Sequence, residues 1–240
     1  MTSPRSRTGR VSTWLGRLAV LAVLVGPAIS HFDLVPPLGG FGVFAVGLLL
    51  ALLCLLIGVV ALILGPAGTR NPTGGGMLPA IVVLLAVYVA SGAGQNPPRI
   101  NDITTDTVNP PLFVHALILP ENAGRDMAYP GADFARQQQE GYGDIPPLAL
   151  PMPADEAFKR VAAAARSTPG WVITREDPGA RALEGYDTSQ LFHFKDDFVI
   201  EVRDANGQSL VEMRSKSRNG KGDVGVNAKR IRSFLGGLKE

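Results

Sequence analysis

The chain has 240 residues, a net charge of +2 and a pI near 8.8, but these averages conceal a division. Five basic residues and one acid, Asp33, precede residue 94, whereas 18 basic and 20 acidic residues follow it, giving +4 on the first part and −2 on the second. A slightly acidic second part excludes a broad nucleic-acid-binding face. The single cysteine, Cys54, lies in an apolar run and so excludes disulfides and thiol chemistry from that part.

Residues 1–13 form a basic tail with Arg5, Arg7 and Arg10, and an apolar run from Trp14 to Phe32 follows. Arg17 and Gly26-Pro27 interrupt this run, so it reads either as a retained membrane helix or as a cleaved signal peptide. Phe41 to Leu64 carries no charge over 24 residues, long enough to span a bilayer. Gly47, Ala51, Cys54 and Gly58 put small residues along one side of it, where another helix can come close. Gly65 to Gly76 reads as a turn and Met77 to Ala93 as a third apolar run. The first 93 residues are thus expected to be a transmembrane region with helices near 14–32, 41–64 and 77–93. Four arginines at the N-terminal end and Arg70 in the second loop, against none in HFDLVPPLGG, put the N-terminus in the cytoplasm. The remainder then lies on the outer, periplasmic side of an inner membrane, and two spans after a cleaved signal give the same answer.

Ten prolines between residues 95 and 153 predict an extended arm over 94–153, lying across the domain that follows, with Leu112–Leu119 as an apolar patch it can bury. Residues 154–240 then predict an α+β domain: one antiparallel sheet of about four strands with two helices. Ala154–Ser167 is the first helix, with Phe158, Val161, Ala162 and Ala165 on one face. Trp171–Thr174 and Ala182–Thr188 read as strands. Asn206-Gly207 between two apolar-rich runs predicts a two-residue hairpin turn. If those two are its centre, Val202 faces Val211, Ile200 faces Met213 and Phe198 faces Ser215 on a core side. In the same register Asp197 faces Lys216 favourably, and Glu201 faces Glu212 unfavourably unless Arg203 or Arg214 reaches across. Ala228, Ile231, Leu235 and Leu238 mark a closing helix with Lys229, Arg230 and Arg232 toward solvent.

The stretches INDITTDTVNPP, ADEAFKRV, FKDDFVIEVR and VEMRSKSRNGKGDVGVNAKRIRSFL resemble the family called domain of unknown function 1499, over roughly Ile100 to Leu238. The resemblance implies a domain that is secreted or carried behind membrane helices. It implies no activity, substrate or catalytic residue.

Seven basic residues and one acid, Asp223, fall between positions 214 and 232. Arg214, Lys216, Arg218, Lys221, Asn227, Lys229 and Arg230 are therefore the candidate set for an anion or a partner, near glycines and a helix start that favour anions. The structural alternative has Asp223 capping the helix and the arginines paired with Asp196, Asp197 and Glu212. The phosphate-loop pattern is absent. Asp196, Asp197 and His193 could be imagined as a hydrolytic set, but adjacent strand residues point to opposite faces, and His193 and Asp197 are separated by ~13 Å of strand. Asp102 and Asp106 could bind a cation or organise turns. No cofactor and no metal are expected. The expected partners are the lipid bilayer, an anionic lipid or other envelope ligand, and other membrane proteins. Three functions remain open: a non-enzymatic binding module, an extracytoplasmic hydrolase, and a structural subunit of a membrane complex.

Overall fold

The computed structural model describes residues 7–64, 70–91 and 97–239. The chain divides into two units, residues 1–95 with Gln190–His193, and residues 96–189 with 194–240. Arg5 and positions 65–69 of the expected turn lie outside the described residues.

The first unit contains α1 (Arg7–His31), α2 (Pro37–Leu64) and α3 (Arg70–Ala90). Two of these, α1 and α2, are long and apolar enough to cross a bilayer, where three were expected. The third falls short because it begins RNPTGGG, and only Gly75–Ala90 is apolar. Residues 70–76, expected as part of a turn, are its first turns.

The unit is built with small residues inside. Gly47, Ala51, Cys54 and Gly58 are buried along α2, as their spacing predicts. Opposite them α1 buries Ser12, Gly16, Ala19 and Gly26. A Cβ on Gly26 would lie 2.6 Å from the Gly40 carbonyl oxygen, so the two backbones approach as closely as glycine alone permits. Cys54 donates through Sγ to the Ser12 carbonyl oxygen at 3.3 Å, which satisfies a polar group in the seam. Large apolar side chains such as Leu21, Leu24, Leu49 and Leu56 point outward and are exposed.

The second unit is organised on six antiparallel strands rather than about four. They are β1 (Asp102–Thr104), β2 (Leu148–Leu150), β3 (Trp171–Asp177), β4 (Ala182–Thr188), β5 (Lys195–Ala205) and β6 (Gln208–Ser217). The order is β1-β6-β5-β4-β3, with β2 also paired to β6. The two additional strands come from the proline-rich arm and lie end to end on the outer edge of β6. At three residues each they are too short to show an alternating pattern. The arm is also less extended than expected, because it contains a helix, α4 (Ala132–Tyr142), and two short 3-10 turns at Ala116–Ile118 and Pro120–Asn122. With α5 (Ala154–Ser167) and α6 (Val226–Gly237), this unit has three α-helices among its described residues instead of two.

Local chemistry fixes the central hairpin. Asn206 and Gly207 both adopt positive φ, 53° and 84°, which suits the right-handed twist of the flanking strands. The pairing that follows is the expected one: Val202 with Val211, Ile200 with Met213, Phe198 with Ser215. These side chains are buried with Ile103 and Leu183, and α5 and α6 supply Phe158, Val161, Ile231 and Leu235 to the same core. Each large apolar side chain so buried contributes roughly 1.5–3 kcal/mol.

The other face of the sheet is covered by the arm, with Phe113, Ala116 and Met127 packed on Val199. The patch expected over Leu112–Leu119 is therefore only half buried, since Leu112, Val114, Leu117 and Ile118 remain exposed. At the outer edge, the Gln138 side chain on α4 accepts from Thr104 N at 3.0 Å and donates to Thr104 O at 2.6 Å. That amide does the work of another strand and blunts the edge.

Candidate functional site

Strand alternation puts Asp102 and Thr104 of β1, Glu212, Arg214 and Lys216 of β6, Asp197 and Val199 of β5, and Glu184 of β4 on the face beneath the arm. This face is mostly ionic. Arg214 is fully buried and grips Asp102 with two parallel bonds, Nε to Oδ1 and Nη2 to Oδ2, both 2.8 Å. Its remaining donors meet the carbonyl oxygens of Pro111 at 3.2 Å and Met127 at 2.9 Å, and Phe113 and Tyr129 lie against the guanidinium. Lys216 Nζ reaches the same carboxylate at 2.7 Å. Burial, reinforced by the Asp102 charge, pushes the Tyr129 hydroxyl up to about 12.

A second node forms on Asp197, which accepts from Arg218 at 2.7 Å and from Arg125 at 3.0 Å. Arg125 also donates to Ser217 O at 2.8 Å and to the Asn122 side chain. The third is Glu184, also fully buried. Its oxygens accept the backbone N–H groups of Val114 (3.1 Å), His115 (2.8 Å) and Ala116 (2.9 Å), and Arg175 approaches at 3.3 Å. A buried carboxylate holding three backbone donors pins the arm's first 3-10 turn to the sheet. The Glu201–Glu212 conflict is met by Arg203, 3.2 Å from Glu201 and 3.0 Å from Glu212. Burial still pushes the Glu212 carboxyl up, with Asp106 and Glu201 adding to it and Arg203 opposing.

On the helix face, Arg230 bridges two acids that sit opposite each other on β4 and β5. Its Nη2 lies 3.0 Å from Asp187 and 2.7 Å from Asp196. Nη1 donates to Ser215 Oγ at 2.9 Å, and Asn227 completes the corner by donating to Ser217 Oγ at 2.9 Å. Asp223 Oδ2 accepts from Asn227 N at 2.8 Å and Oδ1 from Gly225 N at 2.9 Å, so the start of α6 already holds a carboxylate. Burial, with nearby Asp196, pushes this carboxyl up although its backbone bonds oppose that.

An open groove of about 410 Å³ lies between α5 and α6, over the start of β3. Trp171 and Phe234 form its floor, with ring centroids 4.8 Å apart, and Lys229, Ser233 and Gly237 line the α6 side. Asp187 and Arg230 close one end.

The seven candidates therefore divide. Arg214, Lys216, Arg218 and Arg230 are engaged with carboxylates, and Asn227 is buried in the Arg230 corner. Lys221 and Lys229 are exposed. Two expectations need correction. Arg230 does not face solvent: it flanks the buried Ala228–Ile231 stripe, and its long side chain turns under to the two aspartates. Asp197 and Lys216 pair in register as expected, yet each makes its ion pair elsewhere, because the arm brings Asp102 and Arg125 to them.

Asp196 and Asp197 face opposite sides, as alternation requires, and His193 belongs to the other unit, where its Nδ1 lies 3.1 Å from Asp33. Asp106 organises a turn by accepting from Val108 N and Asn109 N, while Asp102 serves the arginine and the lysine. Among the described residues no group of three or more His, Cys, Asp or Glu is placed to hold a metal ion. Arg125, Asn122, Arg175, Glu184, Asp187 and the Trp171 groove were not singled out by sequence. Arg125 and Asp197 are 72 positions apart, and no local pattern ties them.

No curated protein matches the chain. Residues 102–238, which contain every strand of the sheet and α4 to α6, match the model of the family described as protein of unknown function (DUF1499), and the chain belongs to that family.

Proposed function

We propose that the chain is a multi-pass inner-membrane protein that carries its α+β unit on the outer side as a non-enzymatic binding module for an anionic envelope ligand or a protein partner. One observation carries the binding reading. The candidates Arg214, Lys216, Arg218 and Arg230 are engaged with carboxylates, whereas Lys221 and Lys229 are exposed and have no carboxylate partner among the described residues.

The membrane reading is supported by the outward-facing leucines of α1 and α2 and by their length. The apolar part of α3, Gly75–Ala90, rises about 24 Å at 1.5 Å per residue, a few ångströms under the ~30 Å of a hydrocarbon core, so reading it as a third span requires local thinning of the bilayer. Arginines at the start of α1 and at Arg70 favour a cytoplasmic N-terminus, and three spans then deliver the α+β unit outside. A cleaved α1 followed by two spans delivers it to the same side.

Orientation is tested with Lys159→Cys, an exposed site on α5, in a Cys54→Ser background. A membrane-impermeant maleimide should label it while the inner membrane is intact; labelling only after lysis overturns the orientation. Binding is tested by flotation of the full chain, held in neutral-lipid nanodiscs, with phosphatidylglycerol vesicles. Capture should weaken with salt and fall on combining Lys221→Ala with Lys229→Ala. Equal capture by the double variant counts against these two lysines.

A further inference from the structure

We propose that the groove between α5 and α6 binds a flat apolar monoanion, an aromatic carboxylate, with its rings on Trp171 and Phe234 and its carboxylate on Lys229. This rests on reading the α+β unit as an anion-binding module, and it names the site and the ligand chemistry.

The floor is preorganised. Trp171 is only partly buried, yet Phe198 packs on it at 4.1 Å between centroids and Phe234 at 4.8 Å, with interplanar angles of 37° and 32°. An aromatic surface already held by two neighbouring rings loses little freedom when a ligand ring meets the part of it left exposed. Ala164 and Val226 extend the apolar lining. The volume, about 410 Å³, lies in the range of small-molecule sites.

Lys229, Ser233 and Gly237 recur every fourth residue of α6 and line one wall. Charge selects the sign of the ligand. Asp187 receives two bonds from Arg230 on Oδ2 and one from Thr188 N on Oδ1. Arg230 is shared with Asp196, so the Asp187–Arg230 end carries one net negative charge and directs a ligand carboxylate away from itself, toward Lys229. Thr168 Oγ1 is likewise engaged with Ala164 O at 2.9 Å. That leaves Lys229 as the cation of the lining without a carboxylate partner, beside the Ser233 hydroxyl. One positive charge above an aromatic floor fits one carboxylate on a planar apolar body.

The test is calorimetric titration of the full chain in neutral-lipid nanodiscs with 2-naphthoate and with uncharged 2-naphthalenemethanol. Naphthoate should bind at least about tenfold more tightly than the alcohol. Lys229→Gln should remove that preference and leave alcohol binding unchanged. Gly237→Leu should abolish both, since a Cβ there meets open space and a leucine favours the helix, so the variant keeps its fold. Equal binding of the two probes, naphthoate affinity unchanged in both variants, or no binding at all overturns the assignment. So does concentration-dependent self-association abolished by Gly237→Leu, which would give the groove to a second copy. A chain that floats with anionic vesicles but ignores naphthoate loses the groove and keeps the broader reading; failure of both assays removes both.

Discussion

The two faces of the six-stranded sheet are buried to similar depth but differ in their main chemistry. One is largely apolar with a single ionic corner at Arg230; the other is largely ionic around a small apolar cluster at Val199. Toward α5 and α6 stand Ile103, Phe198, Ile200, Val202, Val211 and Met213; toward the arm stand Asp102, Glu184, Asp197, Arg214 and Lys216. The apolar face holds its partners through non-directional burial, which tolerates rearrangement so long as volume is kept. The ionic face holds the arm through bonds that each require one particular partner. Alternation along a strand therefore does not separate inside from outside here. It separates two interiors.

The sharpest way to break this contrast is to remove one ion from the arm side. Arg214→Ala leaves Asp102 buried with Lys216 as its remaining cation, and should lower the unfolding free energy by about 3–5 kcal/mol in denaturant titrations. Replacing the three charges together, Asp102→Leu with Arg214→Met and Lys216→Met, should recover most of that loss, because no buried ion is left without its partner. If the single and triple variants are equally unstable, the arm is not held by the ion pairs themselves.

A smaller effect comes from Glu212, whose raised pKa sets a sign opposite to that of a salt-bridged acid. Between its ordinary value and the raised one the folded state holds a proton that the unfolded state has released, so stability falls as pH rises through that window. Glu212→Gln should therefore be more stable than the parent at neutral pH, and the two should converge as pH drops below the ordinary glutamate range. Thermal unfolding across that range checks it; a parent that gains on its variant as pH rises contradicts it.

The smallest effect belongs to the surface. Arg232 holds the Asp144 carboxyl below its usual value through a direct hydrogen bond, but both groups are well exposed. Arg232→Gln should cost no more than about 0.2–1 kcal/mol, and that contribution should disappear in high salt. A loss comparable to that of Arg214→Ala would erase the distinction between buried and exposed pairs.

How much of this was legible in the sequence follows the range over which each signal acts. The hairpin was legible to the residue because Asn206-Gly207 fixes register locally and the flanking apolar residues agree with it. Helix α5 was legible because Phe158, Val161, Ala162 and Ala165 keep one period without interruption. The strands β1 and β2 were not, since three residues carry no period and their partners on β6 lie far along the chain. The basic run was read with the correct alternation but without its cover. Nothing near Arg214 announces that Asp102, 112 positions earlier, will be brought against it. Nor does the spacing of α6 show that Phe234 and Trp171 will share a floor.

The pairing of β1 and β2 with β6 also has a consequence in time. Synthesis delivers the arm well before β6, so Asp102, Thr104 and Leu150 emerge long before the strand that receives them. Until then the Asp102 carboxylate has neither Arg214 nor Lys216, and the outer half of the sheet has no edge to join. The sheet of this unit therefore stays incomplete until β6 has emerged, with its first strand waiting on its last.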